Sequence, residues 1–494
     1  MSVLCIALVI SSFSGCAFVA AKKGAENAPL KDGSDKGNGG DVEGVSVVGG
    51  EGSLLSYNGE YILTGNVTIT KENASENPTY QALLSVFDGK HLDTERKILN
   101  GQGYTIDTEI PLFKVIGNCN IKNLNVISTK GIVATSSHLA PDVDGGNTMG
   151  LAVIASVAHN PVIFENVNVD ADLTFTENVG TNGLCVGAFV GYGGVYRMTN
   201  CKNDGDITAT PGSCGLLTVG GIIGYKENSC AILYENCVNN GNIVAKKAGK
   251  VSVDMYAGGI AGCSKGNGDV INNSMNTGKI TAEQDMPTHT RIGGLVGHHH
   301  WIIPTDCMNF GDISVKYVSS SEFTNYTAFM IGGIVGTGYK SATFKRCLNA
   351  GDITCVTTGG AIRPSIGGIV SWRLAGNTTF LDCVNIGNLP TNAFVVGGIT
   401  PHNNMSQTIL NNCYTVAFAG EWTPYYNQNQ NGVNSDRYFI TVPTSVDAYI
   451  EKVKTEQIND AETVIKTVLE MVEYDNNFPH DKDDGKTLKS TVIG

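Results

Sequence analysis

The chain has 494 residues, 16% of them charged and 7% aromatic, with 61 glycines and a formal net charge of −13 at pH 7. This composition is rich in turns without being that of a disordered chain. The acidic balance argues against a nucleic-acid partner, which calls for a basic face that displaces counterions, and against attachment to an anionic bilayer by charge.

The N-terminus opens with an apolar run, Met1 to Ile10. It is too short to span a membrane and stands where the apolar part of an export signal would sit. It ends in Phe13-Ser14-Gly15-Cys16, which resembles a bacterial lipobox. The resemblance implies a signal peptide over 1–16 and lipid attachment at Cys16. Cleavage by an ordinary signal peptidase just beyond Cys16 is the alternative, giving a secreted chain. In either case membrane contact is expected only through this end, and location at the cell surface or outside the cell. Residues 17–50, rich in Gly, Asp, Lys and Asn, read as a flexible tether. Residues 51–96 are expected to cap the following domain, because the end of a sheet stack otherwise exposes unpaired strand edges.

From residue 97 to 415 the sequence repeats. The phrase Cys-x-Asn-x-Gly-polar-Ile begins at Cys201, Cys237, Cys307, Cys347 and, ending in Leu, at Cys383; a copy without Cys begins at Ser274. In phase with it runs Gly-Gly-Ile-x-Gly, at Gly220, Gly258, Gly293 (Leu for Ile) and Gly332, with shorter copies at Gly367 and Gly397. Each period of about 36 residues offers three short strand candidates separated by turn residues, and periods of roughly 20–50 residues signal a solenoid. Such strands close no core within one period. Stacked in parallel on their copies, they do. The expected fold is an all-β, right-handed parallel β-helix. The Asn of the first phrase is assigned a ladder of amide hydrogen bonds from coil to coil, and the following Gly a corner with positive φ. Phe344 and Cys347 both read as interior although three apart, which implies a bulge between them.

Residues 416–494 are expected to form a C-terminal cap and tail. They comprise a loop with Trp422, Tyr425 and Tyr426, one strand, an amphipathic helix from about Ser445 to Glu473 covering the open end, and an acidic tail.

These two in-phase phrases resemble the GLUG-type β-helix repeats of bacterial surface proteins. The resemblance implies an adhesin-like chain, with the helix as stalk or platform, and implies no activity.

Candidate chemistry is sparse. The cysteines at one repeat position are expected to line the interior as free thiols, since stacked neighbours point the same way. His298-His299-His300-Trp301 reads as a corner insertion in which His298 and His300 share a side and Trp301 offers a flat face for a sugar. His298, His300 and Trp301 are therefore the candidate ligand contacts. No third metal ligand accompanies them. Gly262-Cys263-Ser264-Lys265-Gly266 matches the nucleophile-elbow pattern but lacks the strand-then-helix context, and a second β-corner is expected after it. Asp142 to Asn147 resembles part of a Ca²⁺ loop without the distal carboxylate. With seven arginines in the chain and no carboxylate cluster recurring in the repeats, no catalytic residue, metal or cofactor is assigned. The expected function is non-enzymatic binding of a glycan, or of a host or neighbouring-cell ligand, through the insertions Ala134–Asn147, Tyr317–Ala328 and Thr357–Pro364. A polysaccharide lyase or glycoside hydrolase is the alternative.

Overall fold

The computed structural model describes the chain from residue 45 to 474 apart from 47–53, 58, 90–93, 143–145, 228–230, 248–252, 286, 320–328, 339, 341, 360–363, 374–377, 391–394, 401–407 and 417–434. The proposed signal, Cys16, most of the tether, the Trp422 loop and the acidic tail lie outside the described residues. Val45–Ser46 is already a strand, paired antiparallel with Leu55 and Ser56, so the cap begins inside the stretch expected to be tether.

The described repeats form a parallel β-helix. The in-phase Gly-Gly phrases lie side by side: Gly220 pairs with Gly258, Gly258 with Gly293, Gly293 with Gly332, Gly332 with Gly367 and Gly367 with Gly397. The strands that end on them make a nine-stranded sheet. A seven-stranded sheet runs from Ile132–Ala134 to Ile353–Gly359, and the third and largest sheet contains long bent strands such as Ala261–Asn272 and Val296–Asn309. Because one period cannot enclose a core, the interior is continuous along the axis. Ile222, Ile260, Leu295, Ile334, Ile369 and Ile399 are all buried in it. Each such aliphatic side chain contributes about 1.5–3 kcal/mol on full burial.

Asn203, Asn239, Asn276, Asn309, Asn349 and Asn385 form the expected ladder. Each donates to the Oδ1 of the next at 2.8 Å, across steps of 36, 37, 33, 40 and 36 residues. Each also donates to the carbonyl of the glycine two residues on, at 2.8–3.1 Å. The ladder ends on the Thr415 hydroxyl.

The role assigned to that glycine is corrected. None of Gly205, Gly241, Gly278, Gly311, Gly351 or Gly387 has positive φ; instead a Cβ on Gly311 would fall on the carbonyl of Gly278 one coil below. The glycine is required for close backbone approach. Positive φ belongs to the residue before the cysteine position: Asn200, Asn236, Asn273, Asp306, Arg346, Asp382 and Asn412, at φ 47–56°. This left-handed residue turns the chain so that Phe344 and Cys347 both point inward, which is the bulge the sequence implied. Asn and Asp tolerate that conformation better than most residues, and their amides stack in a second, outer ladder from Asn123 through Asn166, Asn200 and Asn236 to Asn273.

At the N-terminal end, the hairpin of Leu54–Tyr57 and Glu60–Leu63 pairs in parallel with Lys97–Asn100. Helix α1 (Pro78–Phe87) follows, started by the Asn77 side chain on the Tyr80 N–H, and its Tyr80, Leu83 and Phe87 close the interior. At the other end Ser435–Thr441 adds a parallel strand beside Thr408–Val416. The single helix expected from Ser445 to Glu473 is two: α2 (Thr444–Glu456) stops at Gln457 in the left-handed conformation, and α3 (Ala461–Met471) restarts with Asp460 as its N-cap. Their apolar faces cover an outward column on the flank, Met275, Met308, Leu348 and Val384, together with Phe310. The apolar residue between Cys and Asn in the later repeats is thus a docking strip.

Candidate ligand-binding face

His298 to Trp301 is not a corner insertion. It lies within the strand Val296–Asn309, in register with the coils on both sides: His298 beside Cys263 and Thr337, His299 beside Ser264 and Gly338, and Trp301 beside Asn267. Strand alternation sends the histidines to different surroundings. His298 is only 2% exposed, its ring 5.1 Å from that of Tyr256, so the expectation of an exposed His298 contact is corrected. His299 is buried in the space left by Gly338, where a Cβ would collide with its ring. His300 and Trp301 are half-buried. Among the described residues no three His, Cys, Asp or Glu side chains are grouped to hold a metal.

His298 belongs to a band outside the main core, where the nine-stranded sheet meets the long bent strands. Tyr192 and Tyr225, on adjacent coils, stack at 5.2 Å and 22°, in a small cluster with Val157, Cys185 and Ala140. Ala140–Pro141, from the Ala134–Asn147 insertion, pairs antiparallel with Met149–Gly150 and covers one end of this band. Further along, Arg291 lies over the Tyr256 ring at 5.1 Å, and the Tyr256 hydroxyl donates to Asp254 at 2.6 Å. Asp254 also meets His289 Nδ1 at 3.0 Å. Burial, with Arg291 next in effect, holds His298 well below the ordinary histidine value, so it is neutral. Burial likewise raises the tyrosine hydroxyls of Tyr192, Tyr225 and Tyr256.

The more accessible group is gathered by four successive coils at the bend. Lys265 stands 5.3 Å from the Tyr225 ring centroid; Lys340 stands 5.7 Å from that of Trp301 and donates to Asn267 Oδ1 at 3.0 Å. Tyr225, Lys265, His300 and Trp301 are half-buried, and Asn267 and Lys340 are exposed. Burial, then the Lys340 and Lys265 ammoniums, lower the pKa of His300. Here an acidic chain concentrates two lysines, an amide and two aromatic faces. The arrangement offers stacking, cation and hydrogen-bond donor contacts to a flat, oxygen-rich, negatively charged ligand. Sequence reading found His300 and Trp301 because they stand out, and missed Tyr225, Lys265, Asn267 and Lys340. Only the coil register joins residues up to 115 positions apart.

The remaining candidates resolve simply. Ser264, in the Gly-x-Ser-x-Gly match, is fully buried inside the continuous strand Ala261–Asn272, with register shifts after it in place of the expected corner, and no helix follows. Asp142 is described but 143–145 are not. Tyr317, assigned to an insertion, is instead interior, 4.8 Å from Phe329; its strand runs Ile313–Ser319, and 320–328 lie outside the described residues. Single carboxylates recur at one repeat position, Asp172 and Asp206, then Asp312 and Asp352. Each accepts the backbone N–H of the next coil, at 2.7–3.0 Å, and so closes the corner. Eleven described cysteines are free and buried. Burial pushes Cys214 up to about 11 and Cys119, Cys263 and Cys355 up to about 12, leaving them thiols.

No family model matches the chain, and no curated protein matches it.

Proposed function

We propose that this chain is a non-enzymatic surface protein of the GLUG-repeat kind, exported and held by a lipid on Cys16, whose β-helix binds an acidic glycan at the bend formed by Tyr225, Lys265, Asn267, His300, Trp301 and Lys340. The observation that carries the reading is Lys340, which reaches across two coils to place its ammonium beside both the Trp301 ring and the Asn267 amide. A sugar ring stacked on Trp301 would then meet a cation at its edge. The stacked coils supply a rigid support, which limits the ordering cost of binding. Ser264 is fully buried and Asp172, Asp206, Asp312 and Asp352 are each engaged by a backbone N–H of the next coil, which favours binding without turnover.

A glycan array, followed by titration with a uronate-containing polysaccharide, tests the proposal. Binding is expected to weaken about tenfold or more in Trp301→Ala and to lose most of its salt dependence in Lys340→Met. Binding unchanged in both variants overturns the site. Release of reducing ends or unsaturated products from any polysaccharide overturns the non-enzymatic reading. Fractionation with mass spectrometry of the mature N-terminus tests the anchor at Cys16.

A further inference from the structure

Two charged side chains lie inside the solenoid where neighbouring coils carry small or aliphatic residues. Lys226 pairs in the ladder with Gly193 and Ser264, and Asp269 with Ile302; both side chains are completely buried. Lys226 Nζ is 3.5 Å from Asp269 Oδ1. The other oxygen, Oδ2, accepts the Gly266 N–H at 3.1 Å and a short bond from the Ser264 hydroxyl, while Oδ1 also accepts the Ile232 N–H at 3.0 Å. Gly266 permits this geometry: a Cβ there would overlap the carboxylate. Tyr234 and Ile271 belong to the apolar core around the pair.

We propose that Lys226 and Asp269 become joined by an intramolecular isopeptide bond that ties one coil to the next. A buried ion pair gains little over its desolvation cost, and burial raises the pKa of the Asp269 carboxyl, which favours its taking a proton within the pair. One ammonium proton passes to Oδ1. The freed Nζ lone pair adds to Cγ, and the developing charge on Oδ2 is held by the Gly266 N–H and the Ser264 hydroxyl, as in an oxyanion hole. A second proton moves from Nζ to Oδ1, the Cγ–Oδ1 bond breaks and water leaves, so the three ammonium hydrogens end as two in water and one on the amide nitrogen. No oxidant or co-reactant is needed. Burial supplies both fixed proximity and exclusion of the water that would reverse the step. The product is neutral and removes the buried charges.

Peptide mapping of the full chain, purified folded and digested with trypsin after denaturation and reduction, decides the matter. Trypsin does not cleave after an acylated lysine. The expected product is one branched peptide joining residues 203–246 to 266–279, lighter than the two components by one water, with fragment ions placing the link on Lys226 and Asp269. Recovery of 203–226, 227–246 and 266–279 as separate linear peptides of unmodified mass overturns the proposal. The Asp269→Ala chain supplies the linear peptides as standards even if it folds poorly; the branched peptide persisting in that variant would also overturn the assignment.

Discussion

The amide of Asn239 donates at 2.8 Å to Asn276 Oδ1, 37 residues on and one coil above, and at 2.8 Å to the carbonyl of Gly241 in its own turn. Both residues are completely buried. Replacing Asn276 with Ala removes three buried hydrogen bonds: it strips the partner from the Gly278 carbonyl and Asn309 Oδ1 and leaves the Asn239 amide with the Gly241 carbonyl alone. At about 1–3 kcal/mol for each unsatisfied group, a loss of roughly 3 kcal/mol or more is expected on urea unfolding. The half-buried outer-ladder variant Asn236→Gly should cost less, about 1 kcal/mol, because glycine adopts the positive φ freely and only the bonds to Asn200 and Asn273 are lost.

The corrected role of the repeat glycine separates two explanations. If Gly311 served a left-handed corner, Asn would substitute well there. Because the obstacle is the carbonyl of Gly278, both Gly311→Ala and Gly311→Asn are expected to destabilise by about 1–3 kcal/mol or more, the usual cost of overpacking. Near-parental thermal stability for the Asn variant would restore the corner explanation.

His298 sets a pH dependence. Burial lowers its folded-state pKa well below its ordinary value, so below about pH 6.5 the unfolded chain binds a proton that the folded chain does not. Stability from this residue is therefore complete above that pH and declines as the pH falls toward the folded value. His298→Phe, which keeps an aromatic ring against Tyr256, is expected to flatten the fall in melting temperature between pH 7 and 5. An unchanged slope would assign the dependence to other groups, among them His138 and His300, whose pKa values are also lowered.

The eleven buried cysteines are expected to resist a maleimide in the native state, since their sulfurs lie inside the packed solenoid, out of the reagent's reach. Peptide-resolved labelling should mark them only after unfolding. Native labelling at Cys237 or Cys347 would show that the interior opens on the labelling timescale.

The coil period, the Asn ladder, the cysteine column and even the bulge between Phe344 and Cys347 were legible in the sequence because a solenoid writes each structural constraint once per turn. What a single phrase does not disclose is which of two constraints a residue answers to. Gly311 satisfies either positive φ or close approach, and only the coil below decides. The left-handed position is written as an Asn or Asp directly before the cysteine position in six of seven coils, with Arg346 the departure, but the repeat phrase that begins at the cysteine leaves it outside. The binding face was half legible. Trp301 and His300 are conspicuous, but Lys340 and Asn267 join them through register, and register across coils of 33 to 40 residues is not readable from spacing alone. A run of histidines has the look of an interruption, but the strand Val296–Asn309 passes straight through it and turns His298 inward.

The Asn ladder also acts as a ruler. Successive strands stand about 4.8 Å apart, so the five steps from Asn203 to Asn385 set roughly 24 Å along the axis. Excising 240–276 would remove one whole step and bring Asn239 against Asn309 with the same donor and acceptor facing, whereas residues gained or lost between the strands of a coil, as in the existing steps of 33 to 40 residues, leave the ladder in register. The reach of this molecule can therefore change by complete turns, and a surface that spans four coils can be lengthened by gaining another coil without redesigning those already there.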